Sequence, residues 1–192
     1  MKICLVGPSC AGKTTLANKL KKISGHNCLD LDRVFVDEFK PRKVGEIFYR
    51  SKEDGEKIIN DFFKKNKDWI IEGVFPVWSV FKNADIIIFM KPSFVILIFR
   101  QWYRFFSDEF QRRTFGFKTN LTFLTPDIVK QYFSRRGCND LKDPVEFSVK
   151  KYEQILDNFR DKTIKVGVVN YGVERDILDR VALNGKRNGC VR

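Results

Sequence analysis

The run Gly7-Pro8-Ser9-Cys10-Ala11-Gly12-Lys13-Thr14 places glycine, four variable positions, glycine, lysine and a hydroxyl side chain at fixed spacing. Glycines so placed let successive backbone N–H groups turn inward, and a helix opening behind them adds its positive end, so the segment suits phosphate oxygens. Lys13 is positioned to reach the outer phosphates and Thr14 to bind magnesium, so that Gly7, Pro8, Ser9, Cys10, Ala11, Gly12, Lys13, Thr14 and Thr15 form an expected cradle for ATP or a close relative. Cys10 lies near a lysine and a helix start, a setting that favours thiolate, and reads either as a reactive thiol or as a small loop-filling residue.

Carboxylates stand at two further points. Asp30-Leu31-Asp32 closes one apolar run and Glu72 closes another. Ligands of parallel sheets bind beyond the strand C-termini, and residues two apart on a strand share a side, so Asp30 and Asp32 are expected to leave the second strand together. Each reads equally as a cap or a solvated loop residue. A buried Glu72 is costly without a cation nearby, which makes it a candidate for the water shell of a magnesium ion.

These residues need elements to hold them. Lys2–Val6 is a short apolar run before the glycine loop, and Leu16, Ala17, Leu20 and Ile23 follow at helical spacing, giving strand, loop, helix. Asn27–Leu31 reads as a second strand and 51–65 as an amphipathic helix. Trp69–Glu72 and Asp85–Met90 are continuous apolar runs, the pattern of central parallel strands covered on both faces. Pro92 is expected to open a helix toward Phe106. The spacing then predicts a helix over 143–159, a fifth strand over 164–169 and a last helix over 174–183. Strands alternating with helices imply a three-layer α/β fold with a five-stranded parallel sheet. The weaker pattern over 107–143 reads as an arginine-bearing insert at the sheet's active edge. One domain is expected over 1–184, followed by a basic tail over 185–192.

At 192 residues, 43% hydrophobic and with 19 Phe, the chain has ample apolar surface for one core, which argues against a disordered protein. A net charge of +12 favours polyanions, nucleotides and nucleic acid among them, without choosing between them. Cys4, Cys10, Cys28, Cys138 and Cys190 form no CxxC pair, so neither a disulfide framework nor a zinc knuckle is indicated and a cytoplasmic setting fits. No signal peptide or membrane span is expected. A regulatory GTPase would carry D-x-x-G and N-K-x-D elements, and Asn66-Lys67-Asp68 has the wrong spacing for the latter.

Trp69-Ile70-Ile71-Glu72-Gly73-Val74-Phe75-Pro76 resembles the strand and loop of the adenylate-kinase-like family, where apolar residues usually lead into D-G-F-P-R. The first β-α unit, Leu29-Asp30-Leu31-Asp32 and Val168-Val169-Asn170-Tyr171-Gly172 are similar to that family too. Within it, the chain most resembles topology modulation proteins of the FlaR type, through the leucine-aspartate element and Ile70–Phe75. The resemblance implies a P-loop kinase that uses ATP and Mg2+ and phosphorylates a nucleotide, nucleoside or other small metabolite. A nucleotide-dependent ATPase or regulator associated with nucleic acid is the alternative.

The resemblance assigns Asp30 and Asp32 between catalytic base and magnesium-water ligand, with Asp32 preferred as base and Thr14, Asp30 and Glu72 as the metal set. It places cationic lid residues among Arg100, Arg104, Arg112, Arg113, Arg135 and Arg136, with Arg104, Arg112 and Arg113 preferred, and adenine beside Asn170 and Gly172. Two positions depart from the family pattern: Glu72 replaces aspartate, and Val77 stands where D-G-F-P-R carries its acceptor-binding arginine. Arg33, Arg42 and Arg50 are candidates to replace that arginine, and Phe35, Phe39, Phe48, Tyr49, Phe75 and Trp78 to wall the acceptor site, with core packing as the competing reading of these aromatics.

Overall fold

The computed structural model of the chain describes residues 1–35, 50–106 and 149–167 together with Arg175 and Asp179; for 104–106 it describes the backbone alone. In chain order the elements are β1 (Lys2–Val6), α1 (Lys13–Ser24), β2 (Asn27–Asp30), α2 (Leu31–Phe35), α3 (Lys52–Lys65) and β3 (Trp69–Gly73). They continue with α4 (Trp78–Asn83), β4 (Ile86–Met90), α5 (Phe94–Phe106), α6 (Val149–Leu156), a 3-10 turn (Asp157–Lys162) and β5 (Thr163–Val166). All strand pairs are parallel, in the order β2-β3-β1-β4-β5.

The central strands are apolar throughout because they are covered twice. Successive side chains point to opposite faces of a sheet. Ile3, Leu5, Ile70, Ile88 and Met90 accordingly join Leu16, Ala17 and Leu20 of α1 and Leu97 of α5 in one core. Cys4, Val6, Trp69, Ile71, Ile87 and Phe89 form the other, with residues of α2, α3, α4 and α6. The result is the expected three-layer α/β P-loop fold with a five-stranded parallel sheet. Among the described residues no helix is long and apolar enough to cross a membrane.

Several boundaries differ from those the spacing predicts, each for a local reason. The second strand ends at Asp30 instead of Leu31, because the Asp30 carboxylate accepts the backbone N–H of Asp32 at 2.8 Å and that of Arg33, which turns the chain into α2. Asp32 is therefore a helix residue, and the two aspartates do not leave one strand side by side. The helix after β4 starts at Phe94, not Pro92; Ser93 precedes it and its carbonyl accepts from Leu97 N–H at 3.1 Å. Helix α6 ends at Leu156, where the chain tightens into the 3-10 turn and Phe159 leaves helical geometry (φ −131°). Helix α4 has only six residues and no side-chain cap, too little pattern to announce itself. The insert over 107–143, the N-terminal part of the 143–159 helix and the basic tail lie outside the described residues.

Gly73 lets β3 and α2 meet. A Cβ there would stand 2.6 Å from Leu31 Cβ and 3.3 Å from Asp32 Oδ1, so a methyl group forces apart the two elements that carry Glu72 and Asp32. Gly73→Ala is expected to lower unfolding stability by about 1–3 kcal/mol, the usual cost of overpacking a filled site. Urea denaturation of parent and variant measures it, and equal midpoints would show that α2 yields freely.

Candidate functional site

The glycine loop joins β1 to α1 at the C-terminal edge of the sheet. Three residues hold its shape through positive φ: Gly7 at 150°, Cys10 at 61° and Gly12 at 96°. At Gly7 no other residue fits, because a Cβ would stand 2.3 Å from the Met90 carbonyl oxygen of β4. Cys10 holds a left-handed conformation without that licence, which costs about 1–2 kcal/mol, and such local strain is characteristic of loops held for binding.

Lys13 is buried, with 6% exposure, and its Nζ donates to Gly7 O at 3.1 Å and Pro8 O at 3.0 Å. Burial lowers its pKa, while the charges of Asp32, Glu72, Cys10 and Asp30 oppose that fall. The ammonium is thus bound to its own loop and faces a group of carboxylates. Thr14 lies one residue on, and its hydroxyl hydrogen-bonds Glu72.

Glu72 is 3% exposed on β3, flanked in register by Asp30 of β2 and Leu5 of β1. Burial raises its carboxyl above the ordinary value, and the Thr14 hydroxyl and Lys13 charge oppose this. Asp30 is raised as well, by burial first and by the neighbouring Asp32 charge second. Asp32 projects from the first turn of α2 and its Oδ1 accepts the Val74 N–H at 3.0 Å. The loop after β3 therefore holds one oxygen of this carboxylate.

The structure brings the glycine loop, Thr14, Asp30, Asp32 and Glu72 to one edge. Among the described residues no three His, Cys, Asp or Glu side chains form a cluster able to hold a metal ion. Thr14 and Glu72 nevertheless suit a magnesium ion that keeps most of its waters and binds phosphate oxygens, as that ion prefers. Asp30 caps α2 through its Oδ1, and its Oδ2 stands 3.8 Å from Arg33 Nε. Arg104 sits on α5, but its side chain, like Arg112, Arg113, Arg135, Arg136, Asn170 and Gly172, lies outside the described residues, as does Arg42.

Arg100 was the less obvious arginine. Its Nη1 donates to Ala11 O at 2.8 Å and Cys10 O at 3.5 Å, tying α5 to the glycine loop. The only sequence signal for it is its place one turn before Arg104. Arg50 caps α2: its backbone N–H donates to Phe35 O at 2.7 Å and its Nη1 to Val34 O at 2.8 Å. Arg33 is largely exposed, 3.8 Å from Asp30. Phe35 and Phe75 are core residues with ring centres 5.0 Å apart, and half-exposed Trp78 packs edge-on against Phe159. Val77 is buried at 6% among apolar neighbours.

Two outcomes follow from this geometry. Arg100→Ala removes the tie on two loop carbonyls, and is expected to weaken ATP binding roughly tenfold, an equilibrium change of about 1.4 kcal/mol. Arg100→Lys keeps the charge but loses the planar fork, so calorimetric titration should show only partial recovery. The second concerns Glu72. Upward from pH 4.5 the folded state holds a proton on Glu72 that the unfolded state has released, so this group makes stability fall as pH rises through that window. Glu72→Gln removes the effect, and urea denaturation should show the variant gaining on the parent as pH rises above 4.5. A constant difference would place the ionisation at the ordinary carboxylate value.

No protein-family profile and no curated protein matches the sequence. Among solved structures, a shikimate kinase from Acinetobacter baumannii in complex with shikimate is similar at 17% identity and a TM-score of 0.46, over 99% of this chain and 95% of that one. A gluconokinase from Sinorhizobium meliloti is similar at 13% identity and a TM-score of 0.49, over 97% of this chain and 96% of that one. A shikimate kinase from Aquifex aeolicus is similar at 13% identity and a TM-score of 0.43, over 98% of each chain. Likeness at this level carries no substrate with it, and the fold rests on the strand order and the glycine loop themselves.

Proposed function

We propose that the chain is an ATP-dependent phosphotransferase that moves the γ-phosphoryl group to a hydroxyl or phosphate oxygen of a small acceptor, a nucleotide, nucleoside or other metabolite. The observation that carries this reading is the meeting of Lys13, the Thr14–Glu72 pair and Asp32 at one sheet edge. Phosphoryl transfer needs little from a protein beyond position and charge. The glycine loop holds the phosphate chain of ATP, and Lys13 exchanges its loop carbonyls for phosphate oxygens and offsets their charge. Asp32, with one oxygen fixed by Val74 N–H, uses the other to take the proton of an acceptor hydroxyl. The acceptor oxygen then bonds to phosphorus as the bridge to ADP breaks. When bound, Mg2+ neutralises phosphate charge; Thr14 and, through water, Glu72 are the residues to hold it.

Leu29–Asp32 and Ile70–Phe75 support an adenylate-kinase-like enzyme, and within that group the topology modulation type. Burial of Val77 supports an acceptor site without the phosphate-clamping arginine of the family's loop, which favours a hydroxylated metabolite or nucleoside. We place the enzyme in the cytoplasm, where thiols outside disulfides, such as Cys4, Cys10 and Cys28, are stable.

The test is an ADP-release screen with nucleoside monophosphates, nucleosides and small hydroxylated metabolites. An acceptor-dependent signal that Lys13→Ala reduces at least a thousandfold, with the circular dichroism spectrum unchanged, is the expected result. Undiminished turnover in Lys13→Ala would remove the central assignment. ATP hydrolysis that no acceptor accelerates would favour the ATPase or regulator reading instead.

A further inference from the structure

The loop after β3 is gripped at one residue from two sides. Val74 N–H donates to Asp32 Oδ1 at 3.0 Å, and Val74 C=O accepts the hydroxyl of Tyr152 from α6. Tyr152 is 1% exposed, with its ring 5.6 Å from that of Phe89. We propose that Tyr152 is a positioning residue for the phosphoryl-transfer reaction, holding Val74 so that its N–H fixes the Asp32 carboxylate facing the acceptor. This rests on the kinase reading and on Asp32 as its base.

The reason lies in what Val74 would otherwise do. It follows the last residue of β3, so sheet pairing no longer fixes its peptide groups. The N–H and C=O of one residue belong to successive peptide planes, and anchoring the second limits rotation of the first. Asp32 itself sits on a helix of five residues, too short to hold a carboxylate steady alone. A base displaced by an ångström can lose a hundredfold in rate, so one fixed donor on one of its oxygens matters.

Tyr152 is suited to the task. Burial foremost, and then the Asp32 and Cys4 charges, raises its pKa well above the ordinary phenol value, so it remains a proton donor throughout the working pH range. The phenol is rigid and reaches Val74 from the α6 side of the sheet, while Lys13 and Thr14 approach from α1. Donor and acceptor halves of the site are thus held by different layers, and the Tyr152 hydroxyl is the contribution of the second. A buried hydroxyl that merely satisfies a carbonyl would look alike in a static structure. The two differ in what removing the hydroxyl does to Asp32.

Tyr152→Phe keeps the ring and deletes the hydroxyl. Amide hydrogen exchange, followed by NMR without ligands, is expected to speed up about tenfold at Val74 with Ile3 and Ile87 of the central strands unchanged. ADP release from magnesium-ATP, measured with the acceptor panel above and with water alone, should show kcat about tenfold lower at unchanged KM for ATP. The loss should vanish in an Asp32→Asn background, since two residues acting through one group are not additive. Unaltered exchange at Val74, faster exchange everywhere, or losses that multiply in the double variant would each overturn the proposal. Asp32→Asn at parental turnover would remove the base assignment itself; the exchange data then report separately whether Tyr152 holds Val74.

Discussion

An ammonium group buried to 6% exposure is costly unless every proton meets an acceptor, and the site is organised around that constraint at Lys13. Two loop carbonyls take hydrogen bonds from Nζ, and Asp32 and Glu72 supply the largest opposing charges. The carboxylates need the lysine in turn, because Glu72 and Asp30 are themselves raised by burial and by negative neighbours. Neither charge set is comfortable alone at this edge. A ligand bearing both phosphates and a divalent cation would satisfy each in the place where it already stands.

Geometry follows from that electrostatic arrangement. Gly7 must approach the Met90 carbonyl for the loop to close over Lys13, and Gly73 must approach Leu31 for Asp32 to reach the same edge. Asp30 spends its carboxylate on starting α2, which swings Asp32 across to Val74. Arg100 then fastens the outer side of the loop through Ala11 and Cys10. Apart from the Asp30 cap, these contacts join residues distant in sequence, and they set the positions of the charged groups.

Legibility in the sequence tracks how local each cause is. The phosphate loop is a matter of nine neighbouring residues, and the strands covered on both faces declare themselves as unbroken apolar runs; both were readable. Glu72 was readable too, as a carboxylate ending such a run. The placement of Asp32 was only half readable: strand alternation predicts it beside Asp30, and the Asp30 cap that overrides the alternation was one of two readings the residues allowed. Arg100 stands a single helical turn before Arg104, and nothing in helical periodicity says that Arg100 meets the loop. Tyr152 sits among Val149, Ile155 and Leu156 as an ordinary apolar-face residue, and its hydroxyl gains meaning only from the Val74 carbonyl across the fold.

On the kinase reading, the acceptor half would be shaped by what surrounds Val77. Val77 stands just before α4 and packs with Val80, Phe81 and their neighbours. A lone arginine in that setting would bury a guanidinium without a partner, at a cost larger than its hydrogen bonds return. Arg50, one replacement the sequence offered, is spent on the Val34 and Phe35 carbonyls. Arg42 lies outside the described residues, and Arg33 stands exposed on the helix that carries Asp32, 3.8 Å from the Asp30 carboxylate. Among the described arginine candidates, the one left for an acidic group therefore stands on α2 and not in the loop that follows β3.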